Sequence, residues 1–176
     1  GTPGSRAGGP PAMSADDSAR VAGIDAFVRG GGTVVAWNQG TASLISAFQL
    51  PVRNVVAGVP RQEYFTGVSV MRAIVDTTHP VMAGMPARAA IFVDSSPAFE
   101  TGEGFNGEVL AKFQATGSPL LSGYLLGERF LNNRAAALDV AYGKGQIILL
   151  GFRPQWRGQP FGTFRVVFNA VMGPKS

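Results

Sequence analysis

The chain has 176 residues, 45% of them hydrophobic and 15% charged, which suits one globular domain with a core. The absence of cysteine excludes a disulfide framework, a thiol nucleophile and a Cys-ligated metal. The net charge of +4 comes from scattered arginines with no basic run or face, which argues against nucleic-acid binding.

Residues 1–13 are rich in Gly and Pro and read as a loop or linker, followed by one α/β domain over 14–172 and a short tail over 173–176. Ser14 followed by Asp17 is a helix N-cap with an acidic residue at the third position, and Asp16 and Asp17 suit the positive end of a helix dipole. Val21, Ile24, Phe27 and Val28 form the apolar stripe of that helix, and Gly30-Gly31-Gly32 ends it. Thr33-Val34-Val35-Ala36-Trp37 is β-branched and apolar, as expected for a buried strand. After Asn38-Gln39-Gly40-Thr41, residues Leu44, Ile45 and Phe48 mark a short helix, so the chain makes a strand-turn-helix junction there.

Beyond Pro51 the spacing predicts strands over 68–76, 89–94 and 108–115, separated by Pro- and Gly-rich connections. Residues 134–142 pair with 146–150 through the turn Gly143-Lys144-Gly145. The uninterrupted Ile147-Ile148-Leu149-Leu150 run fits a strand covered on both faces. A loop holding Arg153, Gln155, Trp156 and Arg157 follows. Phe164, Val167, Phe168 and Val171 then recur at the 0, 3, 4, 7 spacing of one helical face, with Gly173 and Pro174 as the stop. No apolar run approaches the roughly 18 residues of a membrane span.

Three separated segments carry a resemblance. They are FVRGGGTVVAWNQGTASLISAFQLPVRNV at 27–55, VDTTHPVMAGMP at 75–86 and YGKGQIILLGFRPQWRGQPFGTFRVVFN at 142–169. Together they resemble the C-terminal, class I glutamine amidotransferase-like domain of bacterial secreted zinc carboxypeptidases of the carboxypeptidase A type. The resemblance implies a flavodoxin-like, three-layer α/β fold with a mixed, mostly parallel sheet, truncated on its N-terminal side. It also implies a catalytic peptidase domain earlier in the same chain, a secreted or periplasmic location and a parent that performs zinc-dependent proteolysis. In class I amidotransferases the junction at Asn38-Gln39-Gly40 presents a cysteine nucleophile. Here that position has none, and the single histidine, His79, lies upstream of where the family's catalytic histidine would fall.

Other chemistry finds little support in the residue pattern. A catalytic zinc needs three ligands and an open position, which one histidine and scattered carboxylates do not announce, so neither metal nor cofactor is expected. His79, in Thr78-His79-Pro80, reads as a residue bonded to loop backbone. Ser43, Ser95 and Ser96 would all have to share it as a base, and no Gly-x-Ser-x-Gly elbow occurs. No two of Asp94, Glu100, Glu103, Glu108, Glu128 and Asp139 are singled out as an acid-base pair. Gly102-Glu103-Gly104-Phe105-Asn106-Gly107 leads to a strand rather than the helix that a phosphate cradle needs.

What remains is a contact site of Asn38, Gln39, Arg153, Gln155, Trp156 and Arg157. Both segments follow core strands and should meet at the carboxyl edge of the sheet, where α/β folds bind ligands. The leading expectation is a non-catalytic accessory domain, packed on the peptidase domain or involved in homo-oligomerisation. The alternatives are a small-molecule or glycan binding module and a hydrolase using serine and His79.

Overall fold

The computed structural model describes residues 15–155 and 161–173. The expected cap at Ser14 and the loop residues Trp156 and Arg157 lie outside them.

Helix α1 (Ala15–Arg29) leads into strand β1 (Thr33–Trp37) and helix α2 (Gly40–Ala47). The strands β2 (Val52–Asn54), β3 (Phe65–Thr66), β4 (Ser69–Val75), β5 (Arg88–Val93), β6 (Phe99–Thr101), β7 (Gly107–Lys112), β8 (Leu120–Ser122), β9 (Leu125–Leu126), β10 (Ala135–Tyr142) and β11 (Gly145–Leu150) follow, and helix α3 (Phe161–Met172) comes last. Single 3-10 turns at Pro80–Met82 and Glu128–Phe130 interrupt the connections.

The main sheet runs β1-β11-β10-β7-β4-β5, with β2, β6 and β8 attached to its flanks. Only β1 and β11 pair in parallel among the described strands, with Thr33 opposite Gln146 and Trp37 opposite Leu150. All other pairings are antiparallel. The sheet is therefore mixed as expected but mostly antiparallel, not mostly parallel. The connections explain it: β4, β5, β7, β10 and β11 follow one another through turns and loops, whereas a parallel neighbour needs a crossover of a dozen or more residues, usually a helix.

The β10–β11 hairpin forms where the sequence places it. Gly143 has φ +63°, and a Cβ there would lie 2.7 Å from Arg29 Cα, so the turn needs glycine both for its conformation and for its fit against α1. Strand β11 is covered on both faces. Ile147 and Leu149 pack with Val28 of α1, Phe48, Leu138 and Val140, while Ile148 and Leu150 pack with Val166 and Ala170 of α3, Ala137 and Phe152. Helices α1 and α2 thus cover one side of the β1-β11-β10 region and α3 the other.

Both outer helices depart from the expected stripes. Val28 is fully buried, Val21 and Ile24 are half-buried, and Phe27 is 57% exposed. In α3 the buried positions are Thr163, Val166 and Ala170, with Val167 partly buried, whereas Phe168 and Val171 face outward at 61% and 64% exposure. The helix carries two adjacent apolar stripes, and the sheet takes the one one position earlier in the helical cycle.

Candidate functional site

The junction after β1 has the geometry of a strained elbow. Asn38 is non-glycine with φ +50°, a left-handed conformation that costs an L-residue about 1–2 kcal/mol and that Asn tolerates better than most. Its N–H continues the ladder to Leu150 O at 2.8 Å, and its C=O receives Thr41 Oγ1 at 2.7 Å as α2 begins. The chain therefore turns sharply at one residue between a core strand and a helix.

The Asn38 side chain is buried, at 3% exposure. In the amide orientation that satisfies both ends, its nitrogen donates to Ser96 Oγ at 2.8 Å. Its oxygen accepts from Arg153 Nε and Nη2 at 3.1 and 3.0 Å. Arg153 also lies 3.3 Å from Asp94 Oδ2, and its backbone N–H donates to Phe92 O. Ser96 Oγ accepts from Asp94 N–H at 3.0 Å, and Gln39 Nε2 donates to Ser95 O at 2.6 Å. Segments following β1, β5 and β11 are thus stitched together over the carboxyl ends of β1 and β11. Of the expected contact residues, Asn38, Gln39 and Arg153 come together there, Gln155 is exposed, and Trp156 and Arg157 lie outside the described residues.

The difference from the expectation is chemical. Asn38, Gln39 and Arg153 spend their polar atoms on one another and on Asp94, Ser95 and Ser96. Local spacing presents Asp94 and the serines only as separate candidates, since nothing in it tells that the segment after β5 crosses the end of β11.

A second cluster lies at the opposite, amino end of the same two strands. His79 caps the Pro80–Met82 turn, its Nδ1 accepting from Val81 N–H at 3.2 Å. That bond leaves the proton of the neutral ring on Nε2, which faces Asp139 Oδ2 at 3.3 Å and Glu108 Oε2 at 3.6 Å. The backbone bond matches the expectation for His79; the carboxylate partners from β7 and β10 were not legible. Burial pushes the Asp139 carboxyl above the ordinary aspartate range, the nearby His79 opposes this, and Glu108 adds to it.

These side chains border a cavity of about 700 Å³ that also reaches Lys144, Gln146 and Asn169. Among the described residues, no group of three or more His, Asp or Glu side chains is arranged to hold a metal ion. No described serine is bonded to His79, and Ser95 and Ser96 belong to the other end of the sheet.

No family model matches the sequence, and no curated protein matches it. Solved structures do match. A ThuA-like protein from Parabacteroides merdae is 13% identical, with 97% of this chain and 70% of that one covered and a TM-score of 0.53. ThuA-like proteins have a class I glutamine amidotransferase-like fold, and the fold of this chain is similar to theirs. A GMP synthase-like protein from Thermoplasma acidophilum is similar at 8% identity, 89% and 64% coverage and a TM-score of 0.51. A β-galactosidase from Bacillus circulans is 11% identical, with 86% of this chain and 20% of that chain covered and a TM-score of 0.53. At these identities the likeness concerns the fold alone. The chain spans 58% of a similar cytoplasmic protein from Salmonella typhimurium, so it accounts for less than two thirds of several of the structures it matches. No helix among the described residues is long and apolar enough to cross a membrane.

Proposed function

We propose that this is a non-catalytic accessory domain whose amidotransferase-like elbow has become a structural knot. The observation that carries the reading is the Asn38 side chain, buried and bonded at both ends where a nucleophile would stand. An amide nitrogen is not a nucleophile at neutral pH, and general-base help is missing because the His79 imidazole belongs to the amino-end cavity. Binding of a substrate carbonyl at Asn38 would also have to displace Arg153 and Ser96 from partners that are already made.

The resemblance of the three segments to the C-terminal domain of secreted zinc carboxypeptidases supports a peptidase parent. In that reading zinc and proteolysis belong to the catalytic domain, this domain packs on it, and the protein is secreted or periplasmic. The isolated chain should release no ammonia from glutamine and no nitrophenolate from p-nitrophenyl acetate above a blank. Turnover that disappears in Asn38→Ala would contradict the reading.

The cavity beside His79 favours a second reading, a small-molecule or glycan binding module. Its size lies in the range of ligand pockets, and its wall offers donors and acceptors of both charges. A thermal-shift screen of sugars and small amines against the chain and its His79→Ala variant tests it: a ligand of this cavity should raise the melting temperature of the first and not of the second.

A further inference from the structure

The cavity at the amino end of β1 and β11 has a floor set by the strand registers. Asp139 stands opposite both Ile148 and Glu108, so these three share one row of a sheet face. Gln146 stands opposite Ala141 and Thr33 in the next row of the same face. Ile148 packs in the core with Val166 and Ala170 of α3, whereas the next row borders the cavity and carries nothing apolar beyond one alanine. Among the described residues the side chains of Thr33 and Gln146 make no hydrogen bond, which leaves their polar atoms to whatever enters.

The charge at one end of this floor is one-sided. Asp139 Oδ2 and Glu108 Oε2 both face His79 Nε2, at 3.3 and 3.6 Å. With Nδ1 accepting from Val81 N–H, the neutral ring has one proton to offer two carboxylates. Nothing else among the described residues donates to Asp139, whose side chain is only 12% exposed. The last turn of α3 also borders the cavity and contains no basic residue, so its carbonyl dipoles add negative potential. Lys144 sits in the β10–β11 turn, past the second row of the floor, and pairs with neither carboxylate.

Within the protein alone this arrangement costs stability. Burial holds the Asp139 carboxyl above the ordinary aspartate range, and the charge of Glu108 adds to the shift. An asparagine would accept the same His79 hydrogen and avoid burying a charge. A carboxylate in that place suits a ligand that brings the missing positive charge, since binding sites are where stability is given up for function.

Deepening the binding-module reading, and resting on it, we propose that this cavity takes a small polar molecule bearing a primary ammonium group. The ammonium sits between Asp139 and Glu108, and Thr33 and Gln146 meet the hydroxyl or amide groups of the same molecule. An ammonium has three donors to share between the two carboxylates and a neutral acceptor. A metal ion suits the place less well, because no described group of three His, Asp or Glu side chains is arranged to hold one. Amino sugars and the amino termini of short peptides both carry this chemistry.

The test is an amide NMR titration of the chain with glucosamine, glucose, glycylglycinamide and N-acetylglycylglycinamide at neutral pH. One amine should bind about tenfold or more tightly than its neutral counterpart, the worth of a charge-assisted hydrogen bond, and should shift the signals of His79, Glu108 and Gln146. Preference for glucosamine assigns an amino sugar, and preference for glycylglycinamide a peptide terminus. Asp139→Asn keeps an acceptor for His79 and loses only the charge. It should bring amine and neutral probe to within about twofold of each other while melting no lower than the parent.

Glu108 is 65% exposed, so Glu108→Gln leaves the fold intact and gives a second reading of the charge. It should cut the amine preference by about two- to fivefold, as for an exposed ion pair, and an unchanged preference would count against the proposal. Equal binding of amine and neutral probe, or a preference that survives Asp139→Asn, would overturn the proposal and leave the binding-module reading standing. Absence of shifts at the cavity with all four probes would overturn it too, and the wider thermal-shift screen then decides the module reading on its own.

Discussion

The two ends of the β1–β11 pair have opposite character. At the carboxyl end, Asn38, Ser96, Arg153 and Asp94 are mutually bonded and Asn38 is buried. At the amino end, His79, Asp139 and Glu108 meet at the wall of a cavity of about 700 Å³. The fold places functional residues at carboxyl ends, yet here that end is filled and the space lies at the other. Fold likeness therefore locates a site's position without locating its chemistry, which depends on whether side chains are left with unspent hydrogen-bonding capacity.

If the carboxyl end is architecture, damage there should appear as lost stability. Asn38→Ala keeps the left-handed backbone without Asn's tolerance for it and leaves Arg153 and Ser96 short of partners. It should cost about 2 to 4 kcal/mol in chemical denaturation, combining conformational strain with lost buried hydrogen bonds. A loss under about 1 kcal/mol would mean that the knot does not hold the two loops together.

At the amino end His79→Ala should cost less, about 0.5 to 2 kcal/mol, the range for removing a helix cap. A cost equal to that of Asn38→Ala would erase the contrast between the ends.

Legibility in the sequence followed the range of the interactions. The β10–β11 hairpin was readable because Gly143-Lys144-Gly145 and its flanking strands are neighbours in the chain, and β1, α2, β4, β5 and β7 followed from runs long enough to show a pattern. Strands β3 and β9, two residues each, offer no period to detect. Direction was not readable either, because a buried strand has the same apolar run whether its neighbour is parallel or antiparallel. The α3 face was misassigned since Val166 and Ala170 on one stripe are as apolar as Phe168 and Val171 on the next. At the site, the approach of Asn38 to Arg153 was expected from two strands ending at one edge. The bonds that use up both residues depend on Ser96 and Asp94, brought in from β5 by the fold.

The smaller expected effects concern pH, where two carboxylates act in opposite directions. Asp139 has its folded-state pKa raised, chiefly by burial, so its contribution is full below the ordinary aspartate range and is lost as pH rises through the raised value. Asp139→Asn, which cannot ionise, should gain stability relative to the parent between about pH 4 and 7. Glu100 is held below the ordinary range by hydrogen bonds from Arg53 and then Arg134. Its contribution is present above the ordinary glutamate range and is lost as pH falls through the depressed value. Glu100→Gln should therefore flatten the acid limb of the melting profile slightly, the pair being exposed to solvent. Both profiles come from thermal melts across about pH 3 to 8, and shifts of the same sign in the two variants would show that the assigned causes are wrong.

The most direct test of the central claim, that the elbow residue is spent on internal bonding, is a double-mutant cycle between Asn38 and Arg153. Unfolding free energies of the parent, Asn38→Ala, Arg153→Ala and the double variant give the coupling between the two side chains. A coupling of about 1 to 3 kcal/mol, with the double variant little worse than Asn38→Ala alone, is the predicted result. Additive effects would contradict it, leaving Asn38 with a side chain available for something other than holding the fold.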